Sequence, residues 1–395
     1  VGIAGFSVAQ AVYISMALDS SGTPFVAYRD QNESYKATVV KYDGENWVTV
    51  GVAGFSAGQA DHISLGLDSA DTPYVAYDDY VNGHKATVMK YDGVNWVSVG
   101  DANGFSVGQA DYLSLELDSS NTPYVAYTDS VSGKATVMKY DVSGWVSVGN
   151  AAGFSTGSAS DMSLAIDSSG TPYVAYPDSG NSGKATVMKY DVSVSAWVTV
   201  GNGAGFSTSS ASDVSLALDS SDSPYVAYSD YAIGDKTTVM KYNGGAWEVL
   251  GSAGISVGAV RFSSLALGIS DTPYVAYRED SNNNKATLMK YNGSVWVTVG
   301  SAGFTVGQAN YTSLALGNSN TAYVAYSDSN GKLTVMSIDA ATTTLSGTPA
   351  NAYVGDHNID LVVSDGTTTV AHSFTITVTN DNKAPTDITL SANTL

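Results

Sequence analysis

The pentapeptide Pro73-Tyr-Val-Ala-Tyr77 occurs, exactly or with small changes, seven times along the 395-residue chain. Its last tyrosine recurs at intervals of 49, 50, 49, 52, 49 and 49 residues, at Tyr28, Tyr77, Tyr127, Tyr176, Tyr228, Tyr277 and Tyr326. Six tryptophans follow the same step, at Trp47, Trp96, Trp145, Trp197, Trp247 and Trp296. Seven copies at a nearly constant spacing indicate that one structural unit is repeated.

Each repeat has the pattern of four short strands. In the first repeat we predict strands A to D at residues 14–19, 24–28, 36–43 and 47–51, separated by turns rich in Ser, Gly and Asp. The strands are rich in β-branched and aromatic residues, and no segment has the apolar period of a helix. Four-stranded units of this length are typical of propeller blades. The sequence therefore predicts an all-β fold with a seven-bladed β-propeller over residues 1–339.

The last blade needs a fourth strand from elsewhere in the chain. The seventh repeat ends at Asp339 without the Trp-containing fourth strand, whereas Val1-Gly2 matches the end of that strand. We therefore expect the N-terminal residues to complete blade seven, with residues 342–346 as the competing candidate. Either arrangement removes an open sheet edge. Because the chain opens within this motif, we expect further residues to precede Val1.

The repeat stops at Ala340, and a different pattern follows. The segments Ile359-Asp-Leu-Val-Val-Ser-Asp-Gly366 and Ser373-Phe-Thr-Ile-Thr-Val-Thr379 resemble the second half of a bacterial cadherin-like (dystroglycan-type, immunoglobulin-like) domain. The resemblance implies a small, incomplete β-sandwich over residues 340–380, and residues 381–395 as a linker or the terminal strand of a further domain. Half a sandwich exposes strand edges, so we predict self-association through this C-terminal segment.

Cadherin-like linkers also bind Ca²⁺ through carboxylates. The resemblance implies Asp365, Asp381 and Asp387 as candidate metal ligands. Calcium needs 6–8 oxygen ligands, and no stretch here has the EF-hand spacing. The alternative is that these aspartates cap ordinary turns. No other cofactor is expected.

The charge distribution excludes several classes of partner. The net charge is −20, from 37 acidic and 17 basic residues, and thirteen of the basic residues are lysines at two repeat positions, represented by Lys36 and Lys41. No basic patch remains for nucleic acid, and an anionic membrane would repel the surface. No apolar run is long enough for a membrane span, so no membrane insertion is expected. Neutral sugars and divalent cations remain compatible partners.

The repeat motif also bears on catalysis. Leu18-Asp-Ser-Ser-Gly-Thr-Pro-Phe-Val-Ala-Tyr28 resembles repeats of bacterial NHL-like propellers and of propeller lectins, over residues 1–339. It departs from the sialidase Asp-box, because two residues rather than one separate Asp19 from Gly22. The four histidines have no metal-ligand spacing, and no Ser-His-Asp constellation can be recognised. We therefore expect a protein that is not an enzyme, with a glycoside hydrolase or lyase as the low-probability alternative.

Positions that differ among near-identical blades are the candidates for ligand binding. One such position is the residue pair before strand A, and another is the B–C loop. Both are expected on one propeller face, around the mouth of the central channel, where aromatic and acidic side chains suit a sugar or a protein loop. The alternative is drift on a solvated rim. The candidates are Tyr13, His62, Tyr112, Asp161, Asp213, Arg261, Phe262 and Tyr311.

Glu116 is the sharpest single departure from the repeat. The other six blades have Ala or Gly at this position of strand A. A carboxylate on the crowded inner strand is costly unless it is paired or hydrated. We therefore include Glu116 among the ligand-binding candidates, either holding a cation in the channel or pairing with Arg261. Simple contact with channel water is the alternative.

Three functions remain open from the sequence. The first is a secreted or cell-surface bacterial recognition or adhesion module that binds a glycan or a surface protein through the propeller's loop face. The second is a structural subunit of an extracellular filament or surface layer, assembled through the C-terminal half-domain. The third is a glycoside hydrolase or lyase, for which no catalytic pair stands out among the many aspartates.

Overall fold

The computed structural model describes residues 1–201, 203, 205–339, 355–364 and 369–378. The chain divides into two compact units, residues 1–340 and 341–395. The first unit contains seven antiparallel sheets whose strands are adjacent in chain order, six of them four-stranded and the last three-stranded. The prediction of an all-β, seven-bladed propeller is therefore confirmed.

The strand bounds repeat closely from blade to blade. Blades one to three contain β1 (Ala11–Leu18), β2 (Pro24–Asp30), β3 (Lys36–Tyr42), β4 (Trp47–Thr49), β5 (Ala60–Leu67), β6 (Pro73–Asp79), β7 (Lys85–Tyr91), β8 (Trp96–Ser98), β9 (Ala110–Leu117), β10 (Pro123–Asp129), β11 (Lys134–Asp141) and β12 (Gly144–Ser147). Blades four to seven contain β13 (Ser163–Ile166), β14 (Pro172–Asp178), β15 (Lys184–Asp191), β16 (Ala196–Thr199), β17 (Ala211–Leu218), β18 (Pro224–Asp230), β19 (Lys236–Tyr242), β20 (Trp247–Val249), β21 (Val260–Leu267), β22 (Pro273–Glu279), β23 (Lys285–Tyr291), β24 (Trp296–Thr298), β25 (Asn310–Leu316), β26 (Thr321–Ser327) and β27 (Leu333–Asp339).

Helical structure in the described residues is limited to short 3₁₀ turns. They span Tyr80–Asn82, Ser179–Asn181, Tyr231–Ile233, Ile269–Asp271 and Asp280–Asn282. Over those same residues, no helix has the length and apolarity that a bilayer crossing requires.

The pentapeptide motif forms the second strand of each blade and lies at the centre of the core. In β6, Val75 and Ala76 are fully buried and Tyr77 is 1% exposed. The buried Tyr77 hydroxyl donates to the sulfur of Met89, at 3.3 Å. A strand that packs against a neighbouring blade on both faces must be apolar throughout, which explains why this segment varies least.

The tryptophans pack between blades, as predicted. Trp96 stacks on Phe55, in the connection from β4 to β5, with ring centroids 4.0 Å apart. Its indole N–H donates to the Val50 carbonyl across the blade boundary, at 2.9 Å. Each stack buries a large apolar area and satisfies the polar end of the ring. In blade six Ile255 replaces the Phe, and Ile255 and Trp296 pack against the same apolar cluster.

A closed ring of serine hydrogen bonds joins the inner strands. Ser15 Oγ accepts from the Leu65 N–H of the next blade, at 3.0 Å. The equivalent acceptors are Ser64, Ser114, Ser163, Ser215, Ser264 and Ser313. The last of them accepts from Met16 of blade one, so the pattern passes through all seven boundaries.

The N-terminal residues complete blade seven. The Val1 ammonium group donates to the Val335 carbonyl at 2.8 Å, as the Val50 N–H does to Val39 in blade one. Phe6 N–H donates to the Leu333 carbonyl at 3.0 Å. This agrees with the expectation from the sequence, while the competing residues 342–346 lie outside the described residues.

The second unit is described only as an antiparallel hairpin. Its strands are β28 (Gly355–Ser364) and β29 (Thr369–Val378), paired from Gly355↔Val378 to Ser364↔Thr369. The immunoglobulin- or cadherin-like assignment stays a prediction. The candidate calcium ligands Asp365, Asp381 and Asp387 lie outside the described residues.

Candidate functional site

A distorted position near the start of each inner strand forms the channel mouth. In six blades the pairing register shifts there, as between Val12 and Ser15 of β1; in blade four β13 begins just after it. The residue at this position has a φ of 44–57° in all seven blades: Tyr13, His62, Tyr112, Asp161, Asp213, Phe262 and Tyr311. Side chains other than Gly rarely adopt this left-handed conformation, and such strain concentrates at functional sites.

The structure corrects one detail of the sequence prediction. We placed the variable pair in the loop before strand A, whereas β1 already begins at Ala11 and includes Val12 and Tyr13. The strand starts earlier because Ala11 and Val12 already pair with Asp30 and Arg29 of β2. In six blades the pair therefore lies at a bulge inside the strand rather than in a free loop, and in blade four it precedes β13.

Five aromatic or imidazole rings form a continuous arc around the mouth. Tyr13 has its ring centroid 5.0 Å from His62 and 5.6 Å from Tyr311. His62 is 5.4 Å from Tyr112, and Phe262 is 4.9 Å from Tyr311. Every one of these contacts crosses a blade boundary. The arc therefore runs from blade six through blades seven, one and two to blade three.

Two carboxylates occupy the remaining part of the ring. Asp161 accepts from the Asp213 N–H at 3.2 Å, and Asp213 accepts from the Phe262 N–H at 2.7 Å. Burial raises the pKa of Asp213 to about 6, against the lowering effect of its hydrogen bond. Burial also raises the pKa of Asp161. These two residues link neighbouring blades by accepting backbone N–H groups at the mouth.

The ends of two second strands adjoin the ring, at Arg29 and Arg278, which the sequence analysis assigned to the B–C loops. Arg29, in β2, forms an ion pair with Asp61 of blade two, and its guanidinium lies 4.9 Å from the Tyr13 ring centroid. Arg278, in β22, lies 5.3 Å from the Phe262 centroid and donates to Asn310 at 2.5 Å. The two arginines therefore lie against the aromatic arc and link adjacent blades.

A cavity of 400 Å³ opens at the mouth between blades six, seven and one. Phe262 and Tyr311 provide its aromatic surface, and its polar lining includes Gln10, Gln308, Asn310 and Ser327. Gln308 Nε2 donates to Asn310 Oδ1 at 3.0 Å, which orients both amides. The lining has one carboxylate, Asp328, and no basic side chain. Such a surface offers an apolar platform beside hydrogen-bonding amides and hydroxyls.

Arg261 lies beside Phe262 in β21, whereas Glu116 lies apart from the ring. Arg261 is exposed and lies 3.8 Å from Asp280, so the alternative in which it pairs with Glu116 does not hold. Glu116 pairs with Tyr124 at the far end of β9, whereas Asp111 at the mouth pairs with Thr128. Strands advance ~3.3 Å per residue, which separates Glu116 from Tyr112 by about 13 Å.

Glu116 is exposed, without an ion pair or hydrogen bond among the described residues. The surrounding strands displace part of its hydration and raise the pKa of its carboxyl to about 7. The surroundings of Glu116 therefore favour the alternative in which its carboxylate simply contacts channel water.

The sequence prediction did not include the amides of the cavity. Gln10, Gln59, Gln109 and Gln308 hold the same repeat position in four blades. They were missed because function was sought only at the residue pair before strand A, in the B–C loop and at Glu116. The usable signal was that three blades replace the amide by Ser or Ala.

The sequence matches no protein-family model and no curated protein. Among solved structures, the fold is similar to that of the BP39L lectin from Burkholderia pseudomallei, with 14% identity, a TM-score of 0.61, and 84% of this chain and 97% of the lectin covered. A polysaccharide lyase of family PL25, an ulvan lyase, shows 12% identity and a TM-score of 0.55 over 85% of this chain and 95% of its own. The six-bladed Aleuria aurantia lectin shows 16% identity and a TM-score of 0.50, over 77% and 100%. At identities this low, the structural similarity establishes that these proteins share the propeller fold and no more.

Proposed function

We propose that this protein is a non-catalytic recognition module that binds a neutral glycan in the cavity between blades six, seven and one. The observation that carries the proposal is the pairing of Phe262 and Tyr311, 4.9 Å apart, beside the oriented amides Gln308 and Asn310. A sugar ring presents an apolar C–H face and a rim of hydroxyls, which match an aromatic platform and amide partners respectively.

The charge of the mouth favours a neutral sugar over an acidic one. Five carboxylates lie around the channel opening: Asp61, Asp78, Asp111, Asp161 and Asp213. The neighbouring cations are already paired, Arg29 with Asp61, and Arg261 and Arg278 with Asp280. A surface with an excess of one sign repels ligands of the same sign, and the whole chain has a net charge of −20. Uronic acids and sulfated sugars would therefore bind weakly.

The fold similarity to lectins supports this proposal. The solved structures with a similar propeller include a lectin from Burkholderia pseudomallei and a lectin from Aleuria aurantia that recognises fucose. One fold hosts many functions, so the cavity rather than the fold carries the argument.

A lyase is the second candidate, because one feature of the arc has the elements of acid–base chemistry. The ring centroids of His62 and Tyr112 are 5.4 Å apart. Burial lowers the pKa of His62 and raises that of Tyr112, so a neutral base lies beside a protonated acid. The similar ulvan lyase is described with a polymer containing GlcA. The carboxylates around His62 disfavour such an anionic substrate here.

We further propose that the protein acts outside the cell or on the cell surface of a bacterium. The low share of charged residues, 14%, supports that placement. Assembly into a filament or layer through the C-terminal segment is the structural alternative. Among the described residues this segment contains the two-stranded hairpin β28–β29, and strand addition by a neighbouring chain is one way to extend such a sheet. Electron microscopy of the native material distinguishes the recognition module from the structural subunit. Ordered polymer favours the structural subunit, and dispersed monomers favour the recognition module.

A glycan array probed with the full chain tests the function. We expect binding to neutral glycans, followed by an affinity loss of about tenfold or more in Phe262→Ala and in Tyr311→Ala, because each removes half of the aromatic platform. Tyr231→Ala is the matched control, since this aromatic is 67% exposed and lies outside the cavity. Uniform silence on the array, or equal losses in the control, would contradict the proposal. Release of an unsaturated product from an acidic polysaccharide would favour the lyase.

A further inference from the structure

We propose that His62, Asp78 and Asp111 bind a divalent transition-metal ion such as Zn²⁺ at the channel mouth. One ligand atom from each residue lies within 4.8 Å of the other two. The cluster belongs to blades two and three, whereas the aromatic cavity belongs to blades six, seven and one. The two sites share no residue, so this inference does not rest on glycan binding.

The donor geometry is close to that of a bound ion. His62 Nδ1 lies 4.0 Å from Asp111 Oδ1. Two ligands of a tetrahedral ion, each ~2.1 Å from the metal, are about 3.4 Å apart. A small rotation of the Asp111 side chain, which is 44% exposed, closes this difference. The Asp78 side chain is only 4% exposed, so it is held in place while Asp111 moves.

An unsatisfied nitrogen points to a ligand at this cluster. His62 Nδ1 is buried and has no hydrogen-bond partner among the described residues. A buried polar atom without a partner is costly and uncommon in a folded protein. This atom is also the one nearest to Asp111. A cation between the imidazole and the carboxylates would give His62 Nδ1 a partner, and it would also offset the negative charge of the carboxylates.

A second histidine holds the buried carboxylate in position. His84 Nδ1 lies 3.0 Å from both oxygens of Asp78. Its ring packs edge-on against Tyr80, with centroids 4.9 Å apart. Outer partners of this kind orient the ligands in known metal sites.

The set of His62, Asp78, His84 and Asp111 occurs at one blade boundary only. The positions equivalent to Asp78 in the other blades carry Arg29, Thr128, Pro177, Ser229, Arg278 and Ser327. The positions equivalent to His84 contain no other histidine. In a chain whose repeats are nearly identical, a fold-stabilising contact would recur around the ring. This set does not recur, which supports a specific role.

The donor set indicates which class of ion fits. One imidazole nitrogen and two carboxylates suit Zn²⁺ and related transition metals, whereas Ca²⁺ and Mg²⁺ take oxygen ligands alone. Asp61, opposite Asp78 in the register, adds negative charge that its ion pair with Arg29 offsets. Three protein ligands leave at least one coordination position for water or for an oxygen of a bound molecule.

Isothermal titration of the full, tag-free chain with ZnCl₂ and, separately, CaCl₂ tests the proposal. We expect one equivalent of Zn²⁺ to bind, and His62→Gln and Asp111→Asn each to lower its affinity by about tenfold or more. Asp101→Asn removes an exposed carboxylate outside this cluster and should change the affinity by less than about twofold. Circular dichroism confirms that each variant is folded.

Three outcomes would overturn it: no stoichiometric Zn²⁺ binding, Zn²⁺ binding that both His62→Gln and Asp111→Asn retain, or Ca²⁺ binding as tightly as Zn²⁺. The titration needs no sugar. Zn²⁺ binding without any binding on the glycan array would therefore reject only the glycan proposal. Glycan binding without Zn²⁺ binding would reject only the metal site.

Discussion

Two positions on the inner strands lie only two residues apart but differ in how much their residue type varies from blade to blade. The first is the bulge position, occupied by three Tyr, two Asp, one His and one Phe around the seven blades. The second is occupied by Ser in all seven, and each hydroxyl accepts an N–H of the next blade. The uniform position closes the circle, and the variable one surrounds the mouth. In a repeated scaffold, uniformity indicates a structural role, and variation indicates freedom for recognition.

The backbone shows the same division of roles. The bulge residues have left-handed φ values, which the repeat keeps although none of them is Gly. A side chain held in this conformation is directed by the bulge rather than by the strand alternation. The repeat therefore keeps a costly geometry at the position whose side chains differ most, which favours a functional reason for it.

The largest expected effect is at the uniform position. Ser215→Ala leaves the Leu265 N–H without its acceptor, a bond of 3.0 Å across the boundary between blades five and six. We expect a loss of about 1–3 kcal/mol in the free energy of unfolding, measured by urea denaturation. Ser212→Ala, exposed on the same strand, should change it by less than about 0.5 kcal/mol. Equal losses in both variants would mean that the serine ring does not stabilise the circle.

A pair of substitutions separates the two positions by backbone conformation. Tyr112 has a φ of 54°, so Tyr112→Gly should be more stable than Tyr112→Ala by about 0.5–1 kcal/mol. At Ser114, in regular strand geometry, the order should reverse, because Gly costs more conformational entropy than Ala. Thermal unfolding of the four variants measures both differences. The same order at the two sites would contradict the strained conformation.

The smallest effect is expected at Glu116, the one departure from Ala or Gly on the structural part of the inner strand. Its raised pKa, about 7 against an ordinary 4.5, means that the folded state holds the proton more tightly than the unfolded state. Stability from this group is therefore full below pH 4.5 and is lost as the pH rises to about 7. Glu116→Gln should be more stable than the parent at pH 8, by less than about 1 kcal/mol because water screens the exposed charge, and equal to it at pH 4. A difference that does not depend on pH would show that the charge is not the cause.

Much of the candidate site could be predicted from the sequence, because the repeat makes unusual residues visible. The seven bulge residues were all identified by comparing blades, and the structure brings them together. The set formed by His62, Asp78 and Asp111 could not be found this way. These residues lie on two blades and three strands, and only the packing of β5, β6 and β9 makes them neighbours.

The sequence by itself determined the number of blades, the four-strand unit and the positions at which the blades differ. This was possible because the hydrophobic period and the turn residues are local features that recur in each repeat. Only the tertiary structure decided which of those positions meet. Tyr13 and Tyr311 are almost 300 residues apart in the chain, yet their ring centroids lie 5.6 Å apart once blade seven closes against blade one. Contacts across blade boundaries depend on the closure of the circle and on the bulge geometry, and neither is encoded in a single repeat.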